Sequence, residues 1–152
     1  MLRVKDVLES KSKDIWSVSP KETAYNALKI LAEKGIGALM VIEDEKLVGI
    51  FSERDYARKV ILKGKSSRET LVGELMTTEV YSISPDKSVE ECLALLTAIH
   101  CRHLPVFAHN KLIGVVTTGD IANAIITEQK INIHDLENYI TGSEYLDVED
   151  NP

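Results

Sequence analysis

The chain says the same thing twice. Ser19-Pro20 recurs as Ser84-Pro85, Leu47-Val48-Gly49 as Leu112-Ile113-Gly114, and Asp55 as Asp120, each pair 65 positions apart. Such a repeat constrains the fold more than any single residue does. Each copy is one supersecondary unit that cannot bury its apolar face alone and must stack on its twin. Chemistry carried by one copy is then offered a second time in a variant form. With 152 residues, 44% of them apolar, the chain suffices for one compact domain built from two half-sized units.

In the first copy, residues 15–18 form a short β-favouring run stopped by Ser19-Pro20, where the fixed proline φ turns the chain. Ala24, Ala27, Leu28 and Leu31 recur at i, i+3, i+4 and i+7 and predict a helix, which Gly35 and Gly37 end. Residues 39–42 and 47–51 predict two strands around a polar turn at Asp44, Glu45 and Lys46, and Asp55 opens a further helix toward Lys63. The second copy follows the same path. Its strands fall at 80–83, 104–107 and 112–116, its helical stripe is Val89, Cys92, Leu93 and Leu96, and Asp120 starts its last helix. Ser88 and Glu91 have the spacing of a capping box. Residues 2–8 and 71–76 are lead-in segments. Val4 matches Val72 at an offset of 68, so the first copy has three extra residues between lead-in and first strand.

The expected fold class is α/β (α+β): two β-α-β-β-α repeats related by pseudo-two-fold symmetry and packed through their sheets. Repeat one is placed at 1–65 and repeat two at 66–130. Residues 131–152 hold a short helix on Ile133, Leu136 and Ile140 and then an acidic tail. Six acids and no Lys or Arg follow Lys130, which leaves 18 acids against 18 bases in the repeated body. A neutral body argues against broad nucleic-acid binding, which needs a basic excess to displace counterions. No run approaches the roughly 18 apolar residues that span a bilayer. Two cysteines make no disulfide framework, and the chain opens on no secretory run. The expectation is a soluble, cytoplasmic protein.

The copies agree most usefully at the end of the third strand. Gly49-Ile50-Phe51-Ser52-Glu53-Arg54-Asp55 and Gly114-Val115-Val116-Thr117-Thr118-Gly119-Asp120 share a glycine, two apolar residues, a hydroxyl, two variable residues and an aspartate. One reading is structural: an aspartate caps the helix, and a Ser or Thr leaving a strand is ordinary loop chemistry. The other is functional. A hydroxyl and a carboxylate one turn apart can grip a vicinal diol such as that of ribose, and the helix they open presents N–H groups to an anion. Two copies at identical spacing favour the functional reading.

These motifs, with Arg102-His103-Leu104-Pro105-Val106 and first strands running into Ser-Pro, resemble the cystathionine β-synthase (CBS) domain, and the tandem resembles a Bateman module. The resemblance spans residues 4–127. Glu53-Arg54-Asp55-Tyr56 and the trailing Leu136-Glu137-x-Tyr139-Ile140 are similar to small bacterial CBS-pair proteins that bind AMP or NAD(H). The resemblance implies adenosine-nucleotide sites (AMP, ADP, ATP or NAD(H)) in the cleft between the copies. Ser52 and Asp55 would hold the ribose of one site, with adenine contacts from Val80, Tyr81, Cys101, Leu104 and Pro105. Thr117 and Asp120 would hold the ribose of the other, with Ile15, Trp16, Ile36, Gly37 and Ala38 walling the base. Arg54, Arg58, Arg102, His103 and Lys21 are the cations available for phosphate. Because Arg54 answers to Gly119 and Arg102 to Gly37, the Ser52/Asp55 site is expected to be the more cationic and the other roomier and more apolar.

Competing chemistries are weaker. His100, Cys101 and His103 offer too few ligands for a structural metal, since strand alternation sends neighbours to opposite faces. Gly64-Lys65-Ser66 lacks the earlier glycine of a P-loop, with Lys59 at that position. Cys92 belongs to the apolar stripe. No catalytic set or metal centre is expected, so the chain reads as a nucleotide sensor without an enzymatic activity or catalytic cofactor. It would act on a protein partner or through a homodimer or higher oligomer. The alternatives are a ligand-free interaction adaptor or a nucleotide-using enzyme.

Overall fold

The computed structural model describes residues 1–12 and 14–128. The helix expected around Ile133 and the acidic tail lie outside the described residues. In chain order the elements are α1 (Val4–Glu9), β1 (Ser17–Val18), α2 (Ala24–Lys34), β2 (Ala38–Glu43), β3 (Lys46–Ser52) and α3 (Glu53–Tyr56), which continues through wider turns over Ala57–Ile61. There follow α4 (Val72–Leu75), α5 (Val89–Ala98), β4 (His103–Ala108), β5 (Lys111–Thr117) and α6 (Thr118–Glu128). The mixed α/β architecture agrees with the repeat pattern.

Local chemistry explains the boundaries. Thr23 caps α2 by accepting the Asn26 N–H at 3.2 Å, and the helix ends on Gly35 in the left-handed region at φ 63°. Ser88 caps α5 by accepting the Glu91 N–H at 3.1 Å, but the reciprocal half of the expected capping box is not formed. Residues 2–4 lie alongside 87–89, with Val4 N–H on Lys87 O and Val89 N–H on Leu2 O, and the Glu91 carboxylate reaches Lys87 at 4.0 Å. The residue that answers to Gly35 is His100, which holds φ 52° without glycine's freedom. Both hairpins turn through two residues at positive φ, Asp44-Glu45 and His109-Asn110, the twist that two-residue connections favour.

In the first half β1 pairs parallel with β2, which pairs antiparallel with β3; in the second half β4 pairs with β5. The strand expected at 80–83 shrinks to a single bridge, Ile83 to Val106. Proline is the reason. Met40 N–H donates to Trp16 O at 3.1 Å in the first half, and the matching residue Pro105 has no N–H to give Tyr81.

The decisive feature of the packing is an exchange. Helix α1 leads into the first repeat yet closes the core of the second, where Val4 and Val7 join Ile83, Val89, Cys92, Leu96, Leu104, Val106, Val116 and Ile121. Helix α4 leads into the second repeat yet closes the core of the first, where Val72 and Leu75 join Val18, Leu31, Leu39, Val41, Phe51 and Val60. Burial of a valine or leucine side chain contributes about 1.5–3 kcal/mol, so each half is completed by its neighbour's lead-in. Backbone bonds reinforce the swap: Val72 N–H donates to Glu22 O and Gly73 N–H to Pro20 O, both at 2.8 Å. The repeated Leu-x-Gly tripeptide is where the exchanged segment crosses the hairpin. A Cβ at Gly114 would stand 2.7 Å from Leu8 Cδ2, and one at Gly49 the same distance from Met76 Sδ.

Two expectations follow. Gly114→Ala should destabilise the fold by about 1–3 kcal/mol through overpacking, read as a lower urea midpoint with an unchanged slope. His100→Gly should raise stability by about 1 kcal/mol, by relieving a left-handed conformation at a helix end, read as a higher melting temperature.

Candidate functional site

Each strand-to-helix motif folds into a reciprocal cap. Ser52 Oγ accepts the Asp55 N–H at 3.2 Å, and Asp55 Oδ2 accepts the Ser52 N–H at 3.0 Å. Thr117 Oγ1 accepts the Asp120 N–H at 3.1 Å, and Asp120 Oδ2 accepts the Thr117 N–H at 2.9 Å. The hydroxyl is therefore the N-cap, and the aspartate lies three residues on, where its carboxylate reaches back. Each motif is also tied to its own repeat: Glu53 N–H donates to Gly37 O at 3.1 Å and Thr118 N–H to Arg102 O at 3.0 Å.

The two carboxylates differ in what else they hold. Asp55 uses both oxygens, because Oδ1 also meets Lys59 Nζ at 3.3 Å and accepts from Thr77 Oγ1 at 3.5 Å. Asp120 Oδ2 accepts from Lys11 Nζ at 2.6 Å, whereas Oδ1 accepts no hydrogen bond among the described residues. Burial works to raise the Asp120 pKa, but the Lys11 ammonium and the Thr117 N–H outweigh it and hold the carboxyl below its ordinary value of 3.8.

Two cavities open along the seam between the repeats, and each is walled by both. The larger, about 980 Å³, runs from Lys5, Leu8 and Lys11 past Trp16, Ile36, Gly37, Ala38 and Met40 to Val115, Thr117 and Asp120. The smaller, about 620 Å³, joins Ser52, Arg54, Asp55 and Arg58 to Val80, Tyr81, Cys101 and Leu104. Gly37, Arg102 and His103 line both and so form the partition between them. His103 stands over Gly37, where a Cβ would come within 3.4 Å of its ring.

Most residues singled out in the sequence thus fall on one wall or the other, in the expected grouping. Three do not. Lys21 lies in the 19–22 turn that docks α4, its N–H on Ser19 Oγ at 3.1 Å. Pro105 is buried inside β4, and Ile15 lines neither cavity although its neighbour Trp16 lines the larger. The expected charge difference is also absent. Arg54, Arg58 and Arg102 face Glu53, Asp55 and Glu79 in the smaller cavity, while Lys5, Lys11 and Arg102 face Glu9, Asp14 and Asp120 in the larger. The balance is even because the lead-in segments bring charges that sequence matching of the strands leaves out.

His103 needs a separate remark. Burial, with Lys11 and Arg102 nearby, pushes its pKa below 6.5 against the opposing pull of Asp120, so the imidazole is neutral at pH 7 and is a hydrogen-bonding group there, not a cation. Cys101 Sγ donates to His103 O at 2.9 Å, and burial raises the Cys92 thiol to about 11, which leaves it an inert core residue. Lys34 Nζ stacks 4.2 Å from the Trp16 ring centroid and braces that indole at the cavity edge. Sequence reasoning missed Lys5, Lys11, Asp14, Thr77 and Glu79. The one signal that could have found Lys11 was the three-residue excess after the first lead-in.

Because the His103 pKa is depressed on folding, its contribution to stability is complete above about 6.5 and is lost as pH falls through that value toward the folded pKa. Parent protein should therefore lose more stability between pH 7.5 and about 5 than His103→Gln does, in paired urea titrations.

A family model described as the CBS domain matches residues 4–62 and 72–127. The chain is 36% identical over 149 residues to the mitochondrial CBS domain-containing protein CBSX3 of Arabidopsis thaliana, covering 91% of this chain and 72% of that protein. A solved protein with CBS domains from Burkholderia ambifaria is 42% identical, with a TM-score of 0.82 over 86% of this chain and 98% of that one. The CBS domain pair of protein MJ0100, solved in complex with 5′-methylthioadenosine and S-adenosyl-L-methionine, is 25% identical with a TM-score of 0.74, over 84% of this chain and 98% of that one.

Proposed function

The chain belongs to the CBS domain family, in two consecutive copies, and we propose that it is a regulatory module that binds an adenosine-type ligand between them. The observation that carries the reading is the composition of each cavity. A hydroxyl and an aspartate from one repeat face an aromatic and apolar wall from the other, Trp16 in the larger cavity and Tyr81 in the smaller. A ribose diol held by the carboxylate leaves the base to the far wall, so one ligand touches both halves. Such a ligand works by differential affinity, favouring one relative arrangement of the halves over another. The adenosine compounds held by MJ0100 support the ligand class.

The larger cavity is the primary site in this reading. Its volume of about 980 Å³ is at the upper end of the range of small-molecule pockets, enough for a mononucleotide. Asp120 Oδ1 is open to a diol, while Asp55 must release Lys59 or Thr77 to take one. AMP, ADP, ATP and NAD(H) share the recognised part and are the ligands to try. The readout of binding falls to a protein partner or to self-association, and the module performs no chemistry itself.

The reciprocal caps favour a second reading, in which both aspartates serve only the fold and the protein is an adaptor. Ligand binding separates the two. Purified protein, denatured and analysed by chromatography and mass spectrometry, should release an adenosine compound, or calorimetry should show one binding. Asp120→Ala should weaken that binding about ten- to a hundred-fold, the value of a charge-assisted bond. It should cost only about 1 kcal/mol of stability for the lost cap. An unchanged affinity, or no binding of any of these compounds at millimolar concentration, would leave the adaptor.

A further inference from the structure

Lys11 occupies a place that only the first repeat creates. After α4, the second lead-in keeps Thr77 paired with β3: the Thr77 N–H donates to Ile50 O at 2.9 Å. The matching carbonyl in the second half, 65 positions on, is Val115 O, and it is met by Lys11 Nζ at 2.9 Å. An ammonium thus stands where the first half has a backbone bridge. That ammonium also donates to Asp120 Oδ2 and lines the larger cavity. An ammonium has three N–H donors, and two are engaged by these acceptors.

Among the described residues the other cavity has no such group. At the lead-in offset of 68, Glu79 stands where the first repeat has Lys11. Lys59, the cation paired with Asp55, comes from that aspartate's own helix and does not line the cavity. Arg54 and Arg58 do line it, but both are exposed, where charge is screened by water and salt. Lys11 is 30% exposed at its side chain and already held by two acceptors, so little further ordering is needed to use its third donor.

We infer that Lys11 makes the Asp120 cavity select phosphorylated nucleosides over their unphosphorylated forms, with its remaining N–H given to a phosphate oxygen of a ligand whose ribose rests on Asp120. This deepens the adenosine reading and rests on it. Trp16 is the single tryptophan of the chain and lines this cavity, so its fluorescence reports occupancy here.

Parent, Lys11→Met and Lys11→Arg are titrated with AMP and with adenosine, and each variant is checked for a cooperative thermal transition. The parent should prefer AMP by at least about tenfold. Lys11→Met should lose about that factor for AMP and less than about threefold for adenosine, and Lys11→Arg should keep most of the preference. Equal losses for both ligands would show that Lys11 only steadies Asp120, and no loss for either would remove it from the site. A parent that binds both ligands equally would overturn the selectivity while leaving the adenosine reading standing, and this arm holds even where Lys11→Met does not fold. A parent that binds neither would overturn both.

Discussion

The exchange of lead-in helices across two glycines is the contact on which the rest of the molecule depends. Val4 and Val7 are fully or nearly fully buried, yet the core they complete belongs to the other repeat, and Val72 and Leu75 return the arrangement. Neither half has a closed core without its partner. The exchange brings the halves together along one seam, and the two cavities open there. Gly49 and Gly114 are small because helix-bearing chain must lie directly on the hairpin there.

In the proposed reading, the hydroxyl-to-aspartate motif unites two roles that the sequence presents as rivals. Both aspartates cap their helices through Oδ2, which orients the carboxylates and settles where their remaining lone pairs lie. A side chain already ordered by a cap loses little freedom on meeting a ligand. Capping and ribose recognition are therefore compatible at Asp120, whose Oδ1 has no partner among the described residues, and in competition at Asp55.

Asymmetry between the repeats arises at a few positions. Gly37 and Arg102 answer to each other and stand with His103 in the partition, so the two cavities share a wall that is not symmetric. The neutral state of His103 comes first from its burial in this partition, to which Lys11 and Arg102 add against the opposing pull of Asp120. Arg102 lines both cavities, so in the proposed reading a ligand phosphate in either would meet it.

The repeat, its helices and the hairpins were legible in the amino-acid order, whereas the grouping of each aspartate with a wall from the opposite copy came from the family resemblance. Periodicity, turn residues and the offsets of 65 in the repeats and 68 in the lead-ins are local or self-comparing signals that need no coordinates. The shortened strand at Ile83 was legible in principle, since Pro105 cannot donate where Met40 does. What the order of residues could not decide is which half each lead-in completes, whether an aspartate oxygen stays open, and that Lys11 crosses to an acid 109 positions away. Those depend on distances between segments remote in sequence, and such distances are set only when both cores close together.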